Sequence, residues 1–209
     1  MATKLELYNK ALVTYLGTRR LASEVENVAG RFALDAVYNQ ALLYVLAEAN
    51  WKFATRSTKL LADGSITPAW GLKYGFTLPD DYVRLAAISA SPDFTDELDD
   101  YRHADHLIYS NSTSFYVEYV SKDPAYGLNI GAFPPAYAEA VGAWLAVACG
   151  LEVTKDRGTR ADVEVLYKQR VARAKTQDAI EDRVKRAPPG RFLRARFGNW
   201  RRGPLTDWR

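Results

Sequence analysis

The sequence is poor in the residues that most often carry out chemistry. It has one cysteine, Cys149, and two histidines, His103 and His106. A single cysteine excludes an internal disulfide framework and a thiolate metal cluster, and its apolar surroundings (WLAVACGL) predict a buried helical thiol. Two histidines provide few candidate bases for a Ser/His or Cys/His nucleophilic mechanism.

The signatures of other common protein classes are missing as well. There is no G-x-S-x-G, P-loop or dinucleotide-binding glycine pattern. The apolar runs are far shorter than the roughly 20 residues that span a bilayer, and the start, MATKLELYNK, lacks the apolar core of a signal peptide. We therefore predict a soluble protein that is made in a reducing cytoplasm and needs no cofactor.

Helical periodicity marks the two ends of the chain. Apolar residues recur at helical spacing over about 30–50, and shorter patterns predict helices at about 3–16, after Pro134-Pro135, and at about 159–184. Gly17 is expected to end the first helix, and Thr159 suits the start of the last. The residues predicted to face inward are Leu5, Tyr8, Leu12 and Leu16; Leu34, Val37, Tyr38, Ala41, Leu42, Val45, Leu46 and Ala49; Val141, Trp144, Leu145 and Ala148; and Val163, Leu166, Tyr167, Val171 and Ala174.

The middle of the chain has the composition of strands. Residues 51–62, 82–90, 106–110 and 114–121 are rich in β-branched and aromatic residues and are bounded by turn residues. Ser110-Asn111-Ser112-Thr113 is predicted to be a hairpin loop. The predicted fold is α+β and mainly α. A helical bundle is built from 1–50 and 134–186, an antiparallel β domain is inserted at 51–133, and an extended arm follows at 187–209.

The C-terminal segment 187–209 has an unusual composition. It carries six arginines against one acid, so its formal charge is +5 while residues 1–186 sum to −2. Prolines and glycines interrupt any regular element, yet the segment is too aromatic for a merely disordered tail. Arginine and tryptophan are enriched among the residues that anchor interfaces. We predict a docking arm whose partner-binding residues are Arg191, Phe192, Arg194, Arg196, Phe197, Trp200, Arg201, Arg202 and Trp208.

Two clusters in the β domain resemble metal sites without meeting their requirements. His103 and His106 flank Asp105, but positions three apart in a strand face opposite sides, and zinc needs three or four converging ligands. An acidic run lacks the glycine and terminal glutamate of a calcium loop. We interpret this run as a solvated loop or a partner-facing acidic patch, and predict no metal. Its members are Asp93, Asp96, Glu97, Asp99 and Asp100.

Two segments together resemble a known family. The first is LAEANWKFATR at 46–56. The second contains PAWG at 68–71, Tyr74, Phe76, LPDDY at 78–82, and Arg84-Leu85. In this order they look like the tail tubular protein A family, the head-to-tail adaptors of short-tailed bacteriophages. The likeness covers roughly residues 3–180 and leaves the arginine-rich arm outside. Trp51 and Phe53 are expected to cap the core, and 78–81 reads as a turn that feeds a strand, so these residues are predicted to be fold determinants.

The resemblance implies a structural virion protein, not an enzyme. It implies a ring of twelve subunits between the portal protein and the tail nozzle protein, with genome DNA passing through the bore and no membrane contact. The arm is then expected to bind the portal. Because a lumen of mixed or negative charge lets DNA slide, the acidic patch is expected to face the nozzle or the lumen.

Two alternatives remain open from the sequence. Phage tail components sometimes carry cell-wall glycosidase (muramidase) activity, which needs two carboxylates across a cleft, and 25 acidic residues make such a pair arguable. The arginine-aromatic arm would also suit a DNA-binding protein, although no basic stripe or nucleic-acid motif occurs in the body of the chain.

Overall fold

The computed structural model describes residues 2–181. Its fold is α+β and mainly α, as predicted, and the predicted arm at 187–209 lies outside the described residues. Single 3₁₀ turns occur at Lys52–Ala54 and Ile130–Ala132. The helices are α1 (Lys4–Asn9), which continues into a π-helical segment (Lys10–Tyr15), α2 (Ala29–Ala47), α3 (Pro135–Thr154) and α4 (Arg157–Ile180).

The strands form two small antiparallel sheets. The larger sheet has the order β1-β6-β3 and the smaller has the order β2-β5-β4. Every strand pair in both sheets is antiparallel. The strands are β1 (Thr55–Leu61), β2 (Tyr74–Thr77), β3 (Tyr82–Ser89), β4 (Tyr101–Ala104), β5 (Leu107–Ser110) and β6 (Ser114–Ser121).

The segment at 110–113 is not the predicted hairpin loop. It joins β5 to β6, which belong to different sheets. The Ser110 hydroxyl donates to the backbone carbonyl of Asp100 (2.9 Å), and the Ser112 N–H donates to the Ser110 hydroxyl oxygen (3.3 Å). These bonds turn the chain out of the smaller sheet and into the larger one.

The helices share one apolar core, and α3 is its central element. Pro135 occupies the first turn of α3, as expected, and Lys155 ends the helix in the left-handed region (φ 56°). By length and hydropathy α3 could cross a membrane, but most of it is buried inside the fold. Its many small residues let neighbouring helices pack on several sides, which is how the core helix of a globular protein behaves.

The predicted inward faces are largely confirmed, with two corrections. The residues of α2 that are buried follow the predicted stripe: Ala33, Leu34, Tyr38, Ala41, Leu42, Val45 and Leu46. Ala148 is exposed, although it was expected to face inward. Leu166 is 37% exposed, because α4 covers the bundle with a narrower face at Val163, Tyr167, Val171 and Ala174. Trp144 is partly buried.

Strand β6 lies between two apolar cores. Phe115 and Val117 are buried in the core of the β sheets, whereas Val120 is buried in the helical core. Trp51 caps the helical core as predicted: it is 1% exposed and donates its indole N–H to the carbonyl of Val45 (2.9 Å). The chain up to Ala179 is one compact unit, and its division into two domains stays a prediction.

Candidate functional site

The acidic patch lies on an exposed loop between β3 and β4. All five of its carboxylates are exposed, and within residues 2–181 none of them forms an ion pair with a lysine or arginine. Backbone bonds shape the loop: the Ala90 N–H donates to the carbonyl of Asp96 (3.0 Å), and the Leu98 N–H donates to that of Ile88 (3.2 Å). The predicted portal-binding residues, Arg191 to Trp208, lie outside the described residues.

One aromatic residue of this loop, Phe94, has an unfavourable backbone conformation. Its φ is 53°, in the left-handed region that costs a residue other than glycine roughly 1–2 kcal/mol. The Phe94 N–H donates to the carbonyl of Ser91 (3.3 Å), which closes the turn. Leu98 anchors the loop on the β core, whereas Phe94 remains partly exposed between the carboxylates.

A cleft of about 520 Å³ runs between α2, α3 and α4. Its floor is aromatic. The rings of Tyr44 and Trp144 are stacked, with centroids 3.9 Å apart and planes 2° apart, and Tyr167 lies 5.0 Å from Trp144. Tyr44 is 44% exposed. Burial raises the pKa of Tyr167, whose hydroxyl is buried without a hydrogen-bond partner among the described residues.

The rim of this aromatic cleft is charged, with cations in excess. Lys168 lies 3.1 Å from Glu164, and Lys175 lies 3.1 Å from Glu48. The first pair is well exposed and therefore weak, whereas the second is partly buried. Arg160 adds a further positive charge on the rim. Over its whole length α4 carries six cations against three carboxylates.

A second cleft, of about 380 Å³, contains Glu139 between α3 and α4. Glu139 accepts hydrogen bonds from Lys10 (2.7 Å) and from the Tyr15 hydroxyl (3.0 Å). Burial acts to raise the pKa of Glu139, but these donors outweigh it and the pKa is lowered. Burial raises the pKa of Tyr15 to about 12. Glu139 is therefore an ionised acceptor that ties the first helix to α3.

The two segments that carry the family resemblance meet in the structure. Arg56, from the first segment, lies 3.0 Å from Asp81 of the second. Arg84, also of the second, donates to the carbonyl of Ala47 at the end of α2 (3.0 Å). The first contact lies within the larger sheet, because Arg56 is in β1 and Asp81 directly precedes β3, and the second contact joins the end of α2 to β3. The expectation that the matched residues determine the fold stays a prediction.

The two histidines are closer together than expected. Asp105 and His106 have φ values of 51° and 63°, so they form a tight two-residue turn between β4 and β5. The rings of His103 and His106 both contact Tyr82, with centroids 5.7 and 5.5 Å from it. The expectation that they face opposite sides is wrong, because a turn replaces the continuous strand. Among the described residues no group of three or more potential ligands could hold a metal.

A glycosidase needs one carboxyl group with a raised pKa. In residues 2–181 every carboxyl group with a shifted pKa is shifted downward: Asp35, Asp63, Asp81, Glu139 and Asp156. Cys149 is 1% exposed and burial raises its pKa to about 12, so the predicted buried thiol is confirmed.

Comparison with known proteins adds no family assignment. No protein-family model matches the chain, and no curated protein matches it. Among the surfaces described above, the aromatic cleft was not foreseen from the sequence. Tyr44 was the one sequence signal for this cleft. It lies just off the buried stripe of α2, so its aromatic side chain faces outward.

Proposed function

We propose that this protein is a structural head-to-tail adaptor of a short-tailed bacteriophage. Copies of the chain form a ring of twelve between the portal protein and the tail nozzle protein. Genome DNA passes through the bore without sequence-specific contact. The protein is made in the host cytoplasm and resides in the virion at the head–tail interface.

The observation that supports this proposal best is the junction at Arg56 and Asp81. Arg56 in β1 and Asp81 directly before β3 are 25 positions apart in the chain, and they meet near the point where the chain leaves the helical bundle for the inserted strands. A helical bundle from both chain ends with an inserted antiparallel β part is the plan that the adaptor family implies. The resemblance is therefore consistent with residues that hold this architecture together.

We assign portal binding to the arm at 187–209. Ordering an arm costs roughly 1–2 kcal/mol per residue for the backbone alone, so strong anchors must offset this cost. Phe192, Phe197, Trp200 and Trp208 would fill apolar pockets, and the arginines would pair bidentately with carboxylates of the portal. Repetition around a ring multiplies a modest affinity per arm through effective concentration.

The test is to end the chain at Ala187. We expect the truncated protein to keep its circular dichroism spectrum and its midpoint of thermal unfolding, because the described core ends before this point. We expect it to be unable to join DNA-filled heads that lack the adaptor, as scored by electron microscopy and by co-sedimentation.

Two full-length variants separate the contribution of the aromatic side chains of the arm from that of its arginines. Replacing the four aromatic residues of the arm with alanine should abolish docking although the charge is unchanged. Replacing its arginines with lysine should weaken docking, because lysine cannot form bidentate pairs. Normal docking of the truncated protein would refute the role of the arm. Steeply salt-dependent binding of the arm to free duplex DNA, without head joining, would instead support the DNA-binding alternative.

A further inference from the structure

We propose that the aromatic cleft between α2, α3 and α4 binds the acidic loop of a second copy of this chain. The acidic loop is the segment 91–100, which carries the five exposed carboxylates and Phe94. The contact pairs two different surfaces, and in the proposed ring this pairing repeats head-to-tail from one subunit to the next. It rests on the proposed ring, and it specifies which surfaces adjacent subunits use.

Charge is the first argument for this pairing. The acidic loop presents five carboxylates that no cation pairs with in the part of the chain that the structure describes. The rim of the cleft has the three cations Arg160, Lys168 and Lys175 against the two carboxylates Glu48 and Glu164, and α4 as a whole carries a net charge of +3. Surfaces of opposite sign attract each other and disfavour wrong partners. Two acidic loops, or two basic clefts, would repel each other, so the same rule opposes a contact in which one surface meets its own copy.

Apolar complementarity is the second argument. The floor of the cleft is the stacked pair Tyr44 and Trp144, with Tyr167 beside it. The loop offers Phe94, which is partly exposed between the carboxylates and held at a costly positive φ. Strained conformations of this kind cluster at ligand clamps and binding sites. An aromatic side chain surrounded by carboxylates matches an aromatic floor whose rim carries an excess of cations.

The pairing has a direct consequence for assembly. A head-to-tail contact leaves one free cleft and one free loop on every pair, so further copies can add until a ring closes. The acidic loop then belongs to the contact between neighbouring subunits. This replaces the earlier expectation that the acidic patch faces the nozzle or the lumen.

A zero-length carbodiimide cross-link tests the contact directly. Full-length protein labelled with ¹⁵N is mixed with unlabelled protein at low salt, and carbodiimide joins carboxylates to lysine amines that are in contact. We expect mixed-label peptides that join Lys168 or Lys175 to the peptide containing 91–100. Cross-links found only within single-label pairs would place the loop and the cleft in one subunit and would overturn the proposal.

Charge reversal tests the energetics. The cleft variant is Arg160→Glu with Lys168→Glu, and the loop variant is Asp93→Lys with Glu97→Lys; all four side chains are exposed. Each variant alone should self-associate at least about tenfold more weakly than the wild type in sedimentation equilibrium. An equimolar mixture of the two should recover association, because each cleft then meets a loop of opposite charge.

A control separates this effect from net charge. Arg20→Glu with Lys122→Glu makes the same change in net charge as the cleft variant, at exposed positions outside both surfaces, and it should associate as the wild type does. Wild-type protein that stays monomeric at all concentrations without the cross-link, or a mixture that does not recover, refutes the pairing.

Joining to filled heads is scored separately for each variant. If the cross-link forms and wild-type protein does not join heads, the pairing stands and the adaptor role falls. If wild-type and reversed proteins all join heads and no cross-link forms, the adaptor role stands and this pairing falls.

Discussion

Asp81, which directly precedes β3, contacts side chains from the other two strands of the larger sheet, β1 and β6. Its carboxylate accepts hydrogen bonds from the hydroxyls of Tyr119 (3.0 Å) and Ser121 and lies 3.0 Å from Arg56. Burial acts to raise the pKa of Asp81, but the two hydroxyl donors and the arginine outweigh it, and the pKa is lowered. Burial raises the pKa of Tyr119 to about 12. The charged form of Asp81 is therefore the one that holds β1, β3 and β6 in register.

Asp81→Asn should destabilise the protein. The substitution keeps the volume but removes the charge that its donors stabilise, and hydrogen bonds to charged groups contribute about 1.5–3 kcal/mol each before relaxation. We expect a loss of about 2 kcal/mol in the free energy of unfolding, measured by urea denaturation at neutral pH. Asp80→Asn is the matched control, because Asp80 is the exposed neighbour; an equal loss in both variants would contradict the assignment.

The difference between wild type and this variant should depend on pH. A lowered pKa means that the folded state holds its proton less tightly, so the stabilisation is complete above the unfolded value of about 3.9. It is lost as the pH falls through the lower pKa of the folded state. The two urea midpoints should therefore converge in acid, and a constant gap down to about pH 2 would show that charge is not the cause.

At the scale of elements, the sequence predicted best where a pattern was long. The stripe of α2 extends over about five turns, so it could be recognised although one of its members, Val37, is only partly buried. Ala148 was misplaced because α3 packs on several sides, and a simple stripe cannot say which of its small residues faces solvent. Strands β2 and β4 were missed because each has four residues, and β2 contains Gly75, which lies against Ile66.

Contacts between elements were beyond the reach of the sequence. The separation of β5 and β6 into two sheets depends on hydroxyl–backbone bonds at Ser110 and Ser112, which no periodicity encodes. The exposure of the acidic loop followed from its composition. The cleft could not be predicted from composition, because its floor is assembled from Tyr44, Trp144 and Tyr167, which lie on three helices distant in sequence.

Gly127→Ala should disrupt the link from β6 to α3. A Cβ atom at Gly127 would lie 1.9 Å from the carbonyl oxygen of Ser121 and 3.0 Å from Cδ2 of Leu46. Because the nearest atom belongs to the backbone, the chain itself must move, at a cost of about 1–3 kcal/mol in the free energy of unfolding. Gly64→Ala is the control, since a Cβ there meets nothing within 4 Å. Equal thermal midpoints for the two variants would refute this reading.

At the scale of the whole molecule, burial raises the pKa of many tyrosine side chains. All thirteen tyrosines lie in the described part of the chain. Seven have a raised pKa, in each case chiefly because burial disfavours the phenolate: Tyr8, Tyr15, Tyr38, Tyr82, Tyr119, Tyr137 and Tyr167. They line the helical core and the sheet junction, so their ionisation reports on the entire fold.

The protein should therefore unfold cooperatively in alkali. A raised pKa in the folded state gives stability that is complete below the unfolded value of about 10 and is lost as the pH rises towards the folded values. At about pH 11, absorbance of tyrosinate in the folded protein should correspond to clearly fewer than thirteen phenolates, and guanidinium should release the remainder in one step together with the loss of helical circular dichroism. The number of tyrosines that ionise before helix is lost decides the outcome. If all thirteen ionise while the helical circular dichroism is unchanged, these side chains are open to solvent in the native protein and the prediction is wrong.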